Sequence, residues 1–308
     1  MNSTDSNSIE HPADWIAVDW GTSRMRAWAM TAAGTVLAST SSDKGMGSLA
    51  PHQFEATLLD AVGPWLRQDH RTPVVACGMV GARQGWMEAP YQAVPCAPAA
   101  ELMAVPVADA RLSVQLCPGL KQLSPADVMR GEETQVAGLL ATRPGFDGVV
   151  CLPGTHSKWV RLQGGQVTAF QTFMTGELYA LLAGQSVLSH SVGGQGWDDE
   201  AFAGAIDLAL ENPAAISARL FSLRAEALLA DLAPATARAR LSGYVIGLEL
   251  AAARAYWDGQ PVAIIGATTL GLHYGAALEQ LGAQSDIHDG EALTLRGLHA
   301  AYQQTTGA

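Results

Sequence analysis

Apolar residues in this chain come in short runs separated by turn-forming residues, and one set of runs occurs twice in the same order. Residues 15–20, WIAVDW, read as a buried strand, residues 24–30 as a second strand, and TAAG as a turn into a third, TVLAST. Downstream, GVVCLPG is an apolar run ending in Pro-Gly, SKWVRL alternates, QGGQ is a hairpin turn on Gly164 and Gly165, and VTAFQTF closes the set. Aligning Gly21-Thr22 on Gly154-Thr155 brings the two hairpin turns close to register. The pattern predicts an internal duplication of a strand, turn, strand, hairpin, strand unit.

The stretches around the two copies carry their own periodicities. Phe54 to Leu66 is amphipathic, PVVACGM and LSVQLCPG read as buried strands, and Ala89 to Pro106 is rich in Pro and Ala. SPADVMRGEETQVAGLLAT looks helical, with Ser124 as a cap ahead of Pro125 and acidic residues early in the segment. Residues 198–257 are Ala- and Leu-rich with helical periodicity, interrupted at Asn212-Pro213 and Pro234. PVAIIGATTLGLHYGAALEQLG then reads as strand, glycine loop and helix, and QSDIHD as a short strand. Turn residues in TRPGFDG mark the division of the chain. The expected organisation is a disordered polar tail over residues 1–14, an N-terminal domain over 15–145 and a C-terminal domain over 146–308.

Composition narrows the class of function. A chain of 308 residues, 48% hydrophobic and only 15% charged, can build two full cores and is not a disordered protein. The formal net charge of −11 argues against a nucleic-acid or anionic-membrane surface, which needs clustered Lys and Arg. An anionic substrate would need a local cationic pocket. Cys77, Cys96, Cys117 and Cys151 form no C-x-x-C pair and have no histidine pair at metal-ligand spacing, so they read as reduced core thiols. The first residues have neither the basic start nor the apolar stretch of a signal peptide, and no apolar run approaches the ~18 residues of a membrane span. A cytoplasmic location is expected, and for oligomeric state a homodimer is the base-rate expectation.

The candidate chemistry lies in the turns. Neither G-x-x-x-x-G-K-[ST] nor G-x-G-x-x-G follows a strand, so any phosphate site must use another device. The turn DWGTS offers one. Glycine lets backbone approach a phosphate, successive N–H groups form an anion-binding concavity, and the Thr22 and Ser23 hydroxyls add donors. Asp19 cannot bind phosphate directly but can hold a hydrated Mg²⁺. An ordinary hairpin turn, with Asp and Thr satisfying backbone groups, explains D-x-G-T alone equally simply. The second copy, PGTHSK, strengthens the phosphate reading, because two such turns can grip a polyphosphate from opposite walls of a cleft. DVMRGEETQ adds Asp127, Glu132 and Glu133, which either favour a helix dipole or supply a carboxylate to accept the proton of an attacking hydroxyl. Gly45-Met46-Gly47 reads as a substrate loop. Trp86 reads as either a sugar-stacking or a core residue, and Arg83 as either a carboxylate ligand or a solvated cation.

Taken together, these segments resemble the sugar kinases of the actin, hexokinase and heat-shock ATPase superfamily, most closely the 2-keto-3-deoxygalactonokinases. VDWGTSRMRAW looks like the first phosphate motif, CGMVGARQGWMEAPY like the substrate-side segment, and DVMRGEETQ like the catalytic segment. LPGTHSKWV looks like the second phosphate motif, FMTGELYALL like the segment after it, and IIGATTLGLHYGAAL like the adenosine region. The resemblance runs from about residue 15 to 300. It implies an α/β chain with a duplicated actin-like, ribonuclease H-like ATPase fold, two domains around a nucleotide cleft, and closure of those domains to exclude water.

The resemblance also implies roles. Asp19 is the metal-associated aspartate; Gly21, Thr22 and Ser23 form the first phosphate loop, and Gly154, Thr155 and His156 the second. Gly131-Glu132 stands where a Gly-Asp pair supplies the base in glycerol- and xylulose-type kinases, so Glu132 is the expected base, with Asp127 and Glu133 as alternatives. Arg83 and Trp86 are the expected substrate contacts. Gly266 is the expected adenosine contact, although Ala267 follows it where a second glycine is usual. The implied reaction uses ATP and Mg²⁺ to phosphorylate the terminal hydroxyl of 2-keto-3-deoxygalactonate, a small-molecule sugar acid. The rivals are a kinase of the same fold for another sugar or sugar acid, and a nucleotide-regulated switch with no acceptor.

Overall fold

The computed structural model of the chain describes residues 13–266 and 268–306. The tail expected to be disordered falls outside the described residues up to position 12. Ala13 and Asp14 belong to the fold, Ala13 being fully buried and the Asp14 N–H donating to the Met30 carbonyl at 2.9 Å. The chain divides into two compact units, one made of the described parts of Met1–Phe146, Gln163–Thr168 and Gly290–Ala308, the other of Asp147–Leu162 and Ala169–Asp289. Residues 290–306, which the sequence pattern assigns to the second domain, group with the first unit.

In the first unit, β1 (Trp15–Trp20), β2 (Met25–Met30) and β3 (Val36–Ser42) form an antiparallel meander, followed by α1 (Phe54–Val62) and then β4 (Thr72–Cys77), which runs parallel to β1. After β5 (Gln92–Ala93), β6 (Met103–Val105) and β7 (Leu112–Leu116) complete a sheet of order β3-β2-β1-β4-β7-β6. The segment read as helical from Ser124 is helical only in its second half. Leu120–Leu123 (β8) and Ala126–Met129 (β9) pair antiparallel, and α2 (Glu132–Thr142) begins only at Glu132. Local helix-start signals lose here to burial of the cross-strand pair Leu120 and Met129. Gly131, with φ of 111°, then separates strand from helix in a conformation that a side chain would strain to adopt.

The second unit repeats the core. β10 (Gly148–Leu152) pairs antiparallel with β11 (Ser157–Gln163), and β12 (Gln166–Phe173) lies outside β11. Helices α3 (Thr175–Gln185), α4 (Ser189–Val192), α5 (Asp199–Glu211), α6 (Ile216–Leu229), α7 (Pro234–Ala252) and α8 (Arg254–Trp257) follow. β13 (Val262–Gly266), α9 (Thr268–Gln280) and β14 (Ser285–Asp289) complete a sheet of order β12-β11-β10-β13-β14. In both sheets a strand that ends in a glycine turn pairs antiparallel with the next strand and parallel with one reached through a longer excursion, as the duplication predicts.

The last helix, α10 (Gly290–Thr306), packs on α2 and β1 of the first unit. Side chains alternate along β1, so it feeds two cores. Ile16, Val18 and Trp20 join Phe54 and Leu58 of α1, while Trp15 and Ala17 join Leu298, Ala301 and Tyr302 of α10. This burial on both faces is why WIAVDW is nearly continuously apolar.

Candidate active site

In the first unit, β1 ends at Asp19 and Trp20, and the chain turns so tightly that the Gly21 N–H donates to the Arg24 carbonyl at 2.9 Å. Thr22 and Ser23 stand exposed on this turn. The Gly45-Met46-Gly47 stretch, expected to be a substrate loop, is bonded to the turn instead. The Met46 N–H donates to the Gly21 carbonyl at 3.0 Å and the Gly47 N–H to the Thr22 carbonyl at 2.9 Å. Asp19 Oδ2 accepts from Arg26 Nη2 at 2.6 Å, and Arg26 Nη1 donates to Glu291 Oε2 at 2.6 Å, so one guanidinium orients two carboxylates. A cavity of 190 Å³ opens at this strand end, with Asp19, Gly21, Gly78, Arg130, Glu132 and Gln135 in its wall.

The three candidate carboxylates have different surroundings. Asp127 lies on β9, where its Oδ1 accepts from the Val128 N–H at 2.7 Å, and it is not among the residues lining the cavity. Glu133 is fully buried, and its Oε2 accepts from the Gly131 N–H at 2.7 Å where the chain enters α2. Burial pushes its carboxyl up to about 8, and the neighbouring Glu132 charge pushes the same way. Glu132 accepts from the Arg130 N–H at 3.2 Å and is the one of the three that lines the cavity with Asp19.

In the second unit, the turn after β10 carries Gly154, Thr155 and His156. The first residues of α3 sit directly on it. A Cβ at Gly176 would come within 2.2 Å of the Gly154 carbonyl oxygen, so only glycine permits this approach. The Glu177 N–H donates to the Thr155 carbonyl at 2.9 Å, and the Glu177 carboxylate lies 2.6 Å from His156 Nε2. Beside the turn is a pocket of 430 Å³ with largely apolar walls, formed by Gly154 and Thr155, the start of α3, α7 and the first turns of α9. Trp197 and His273 line it as a stacked pair, ring centroids 4.1 Å apart and 8° from parallel. Burial holds His273 below the usual imidazole range, against the pull of Asp199. The volume and apolar lining suit a flat heterocycle, and the adjoining turn suits an anionic tail.

The other expected site residues are placed less tellingly. Arg83 is exposed. Trp86 packs into the first unit's core, stacked on Phe54 with centroids 6.1 Å apart and edge-on to Trp20 at 6.3 Å, which favours the core reading. Gly266 ends β13 near the Pro153 carbonyl, and Ala267 lies outside the described residues. Among the described residues no three His, Cys, Asp or Glu side chains cluster to hold a metal. Mg²⁺ needs no such cage, since it is usually held by one or two carboxylates, waters and substrate phosphates, and Asp19 meets that requirement.

A family model for 2-keto-3-deoxy-galactonokinase matches residues 19–301, which contain both turns, Glu132 and the pocket residues. The chain belongs to this family. It is 42% identical over 297 residues to a Rhizobium meliloti protein named "Probable 2-dehydro-3-deoxygalactonokinase", covering 93% of this chain and 96% of that one. It is 33% identical over 292 residues to the 2-dehydro-3-deoxygalactonokinase of Escherichia coli, covering 94% and 97%. A crystal structure from Sinorhizobium meliloti with the same name, given provisionally, superposes with a TM-score of 0.86 at 41% identity and covers 94% of this chain and 99% of that one. Component A of the (R)-2-hydroxyglutaryl-CoA dehydratase of Acidaminococcus fermentans shares the fold alone, at 13% identity and a TM-score of 0.50. The fold is the two-domain actin-like α/β fold, and membership of the 2-keto-3-deoxy-galactonokinase family makes the chain a sugar-acid kinase that uses ATP. Among the described residues no helix is long and apolar enough to cross a membrane.

Three residues beside these two cavities are not signalled by the motifs. Arg26 was findable: the tight turn at Gly21 sets an antiparallel register in which Asp19 faces Arg26. Trp197 and His273 meet only in the folded unit, and no local spacing signals them.

Proposed function

We propose that the chain transfers the γ-phosphoryl group of ATP to the terminal hydroxyl of 2-keto-3-deoxygalactonate, giving the 6-phosphate. The observation that carries the mechanism is the pairing of Asp19 and Glu132 in the wall of one cavity, with Asp127 outside it and Glu133 sealed in the core. Glu132 takes the proton as the hydroxyl oxygen bonds to the γ-phosphorus; the bond from that phosphorus to the β–γ bridging oxygen breaks, and ADP leaves. Backbone N–H groups of Thr22 and Ser23, in the turn that Gly21 opens, and of the turn at Gly154, Thr155 and His156 orient phosphate oxygens. The pocket of Trp197 and His273 takes the adenosine, next to Gly266. Mg²⁺ held at Asp19 would neutralise charge on the phosphates. Arg83 and Trp86 are proposed to act on the sugar-acid side, Trp86 by shaping the wall from within the core, in a protein that works in the cytoplasm.

The reading is tested by ADP release from ATP and Mg²⁺ across 2-keto-3-deoxygalactonate, 2-keto-3-deoxygluconate, galactonate, galactose, glycerol and no acceptor. Release confined to 2-keto-3-deoxygalactonate is expected. Release with a different acceptor alone overturns the substrate and keeps the chemistry, and release that ignores acceptors overturns the kinase reading.

A further inference from the structure

The second half of helix α7 is almost wholly buried, yet it carries a carboxylate. Glu249 is 2% exposed, within a helix whose neighbouring residues Val245, Ile246 and Leu250 are core. A buried carboxylate is costly unless its oxygens are saturated with donors. Glu249 meets that condition with uncharged groups. Its Oε2 accepts from the Ser157 hydroxyl at 2.5 Å and the Tyr274 hydroxyl at 2.8 Å, its Oε1 accepts from the Trp159 indole N–H at 2.8 Å, and the Thr175 hydroxyl also bonds to it.

These donors come from three different elements: α3 and α9 line the pocket beside the second glycine turn, and β11 follows directly on that turn. Ser157 directly follows Gly154-Thr155-His156 and begins β11. Thr175 begins α3, one residue before the glycine that rests on the Gly154 carbonyl. Tyr274 belongs to α9 and, like Thr175, lines the pocket. Apolar packing alone could hold these elements together, but it would leave their register soft. A single carboxylate with directional bonds to all three fixes where the turn stands relative to the pocket walls.

We infer that Glu249 is a positioning residue for nucleotide binding, which sets the second phosphate turn, the start of α3 and the α9 wall in the geometry that takes ATP. The inference rests on the nucleotide reading of this pocket. It does not depend on which acceptor is phosphorylated, and Glu249 itself touches no phosphate.

Two variants test it. Glu249→Gln keeps the shape but presents an amide N–H₂ to groups that were donating, and Ser157→Ala frees only the turn. Loss of the hydrogen bonds that saturate this buried carboxyl predicts that the Kd for ADP, measured by calorimetry on the folded protein, rises about tenfold or more in Glu249→Gln and about three- to fivefold in Ser157→Ala. KM for ATP should rise in parallel while KM for the sugar acid stays within about twofold, a split that a general loss of structure would not produce. An unchanged Kd for ADP in a variant that melts earlier overturns the inference, making Glu249 a core residue only. If Glu249→Gln does not fold, Ser157→Ala decides alone, by the same criterion. Failure of the unaltered protein to bind ADP overturns the nucleotide reading and this inference with it, whereas equal binding by all three proteins overturns the inference alone.

Discussion

Glu132 and Glu133 are adjacent in sequence and differ completely in environment, so they test the site from two directions. Glu132 faces the cavity, and its replacement by Gln removes a proton acceptor with almost no change of shape. The expected result is a fall in kcat of about 10²- to 10⁴-fold with the KM values for both substrates largely kept. Full turnover in a folded Glu132→Gln protein would reject the assignment. Glu133 should instead show itself in stability. Its carboxyl titrates near 8 in the folded chain against an ordinary value of 4.5, so between those values the folded state holds a proton that the unfolded state has released. Stability therefore falls as pH rises through that window, by up to about 1.4 kcal/mol per pH unit from this group. Glu133→Gln should match the parent near pH 4.5 and become progressively more stable than it towards pH 8, a comparison that urea unfolding at several pH values would make. A pH-independent difference would reject the shift. The sequence showed three carboxylates within seven residues, but their separate fates depended on burial and on the start of α2, which their spacing does not encode.

At the level of elements, the crossing of α2 and α10 holds Glu132 in place. Gly138 of α2 and Gly297 of α10 face each other so closely that a Cβ on either would come within 1.9 Å of a backbone carbonyl oxygen of the other helix. Neither backbone can give way locally, so Gly138→Ala should destabilise by about 2–4 kcal/mol, more than the propensity gain of alanine can offset. Thermal melting would read this as a lowered midpoint, and an unchanged midpoint would mean that the helices can separate. The strands and their duplicated order were legible because each core strand is a short apolar run ended by turn residues. The helix expected from Ser124 was not legible as a hairpin, since Ser-Pro and early acids are also helix-start signals and only long-range pairing of β8 and β9 outweighs them. α10 escaped for a different reason: its apolar contacts, Leu293, Leu298, Ala301 and Tyr302, are spread thinly through a polar segment.

On the scale of the whole chain, the first unit is built from both ends of the sequence while the second is nearly continuous. Trp15 of β1 stacks on Tyr302 of α10, with ring centroids 4.6 Å apart and 6° from parallel. Leu293, Leu298 and Tyr302 are all buried, and at about 1.5–3 kcal/mol each they contribute roughly 5–9 kcal/mol, comparable with the entire margin of a typical domain. Ending the chain at Asp289 should therefore unfold the first unit and leave the second standing. In hydrogen exchange, amides of β1, β4 and α2 should lose protection, whereas those of β10, β13 and α7 should keep most of theirs, because their core contains no residue of α10. Uniform loss of protection across both units would mean that they fold as one cooperative body, and retained protection in β1 and α2 would mean that α10 adds little. The same truncation separates the two functions assigned to the chain: turnover should vanish with the support of Glu132, while ADP binding in the pocket of Trp197 and His273 should survive.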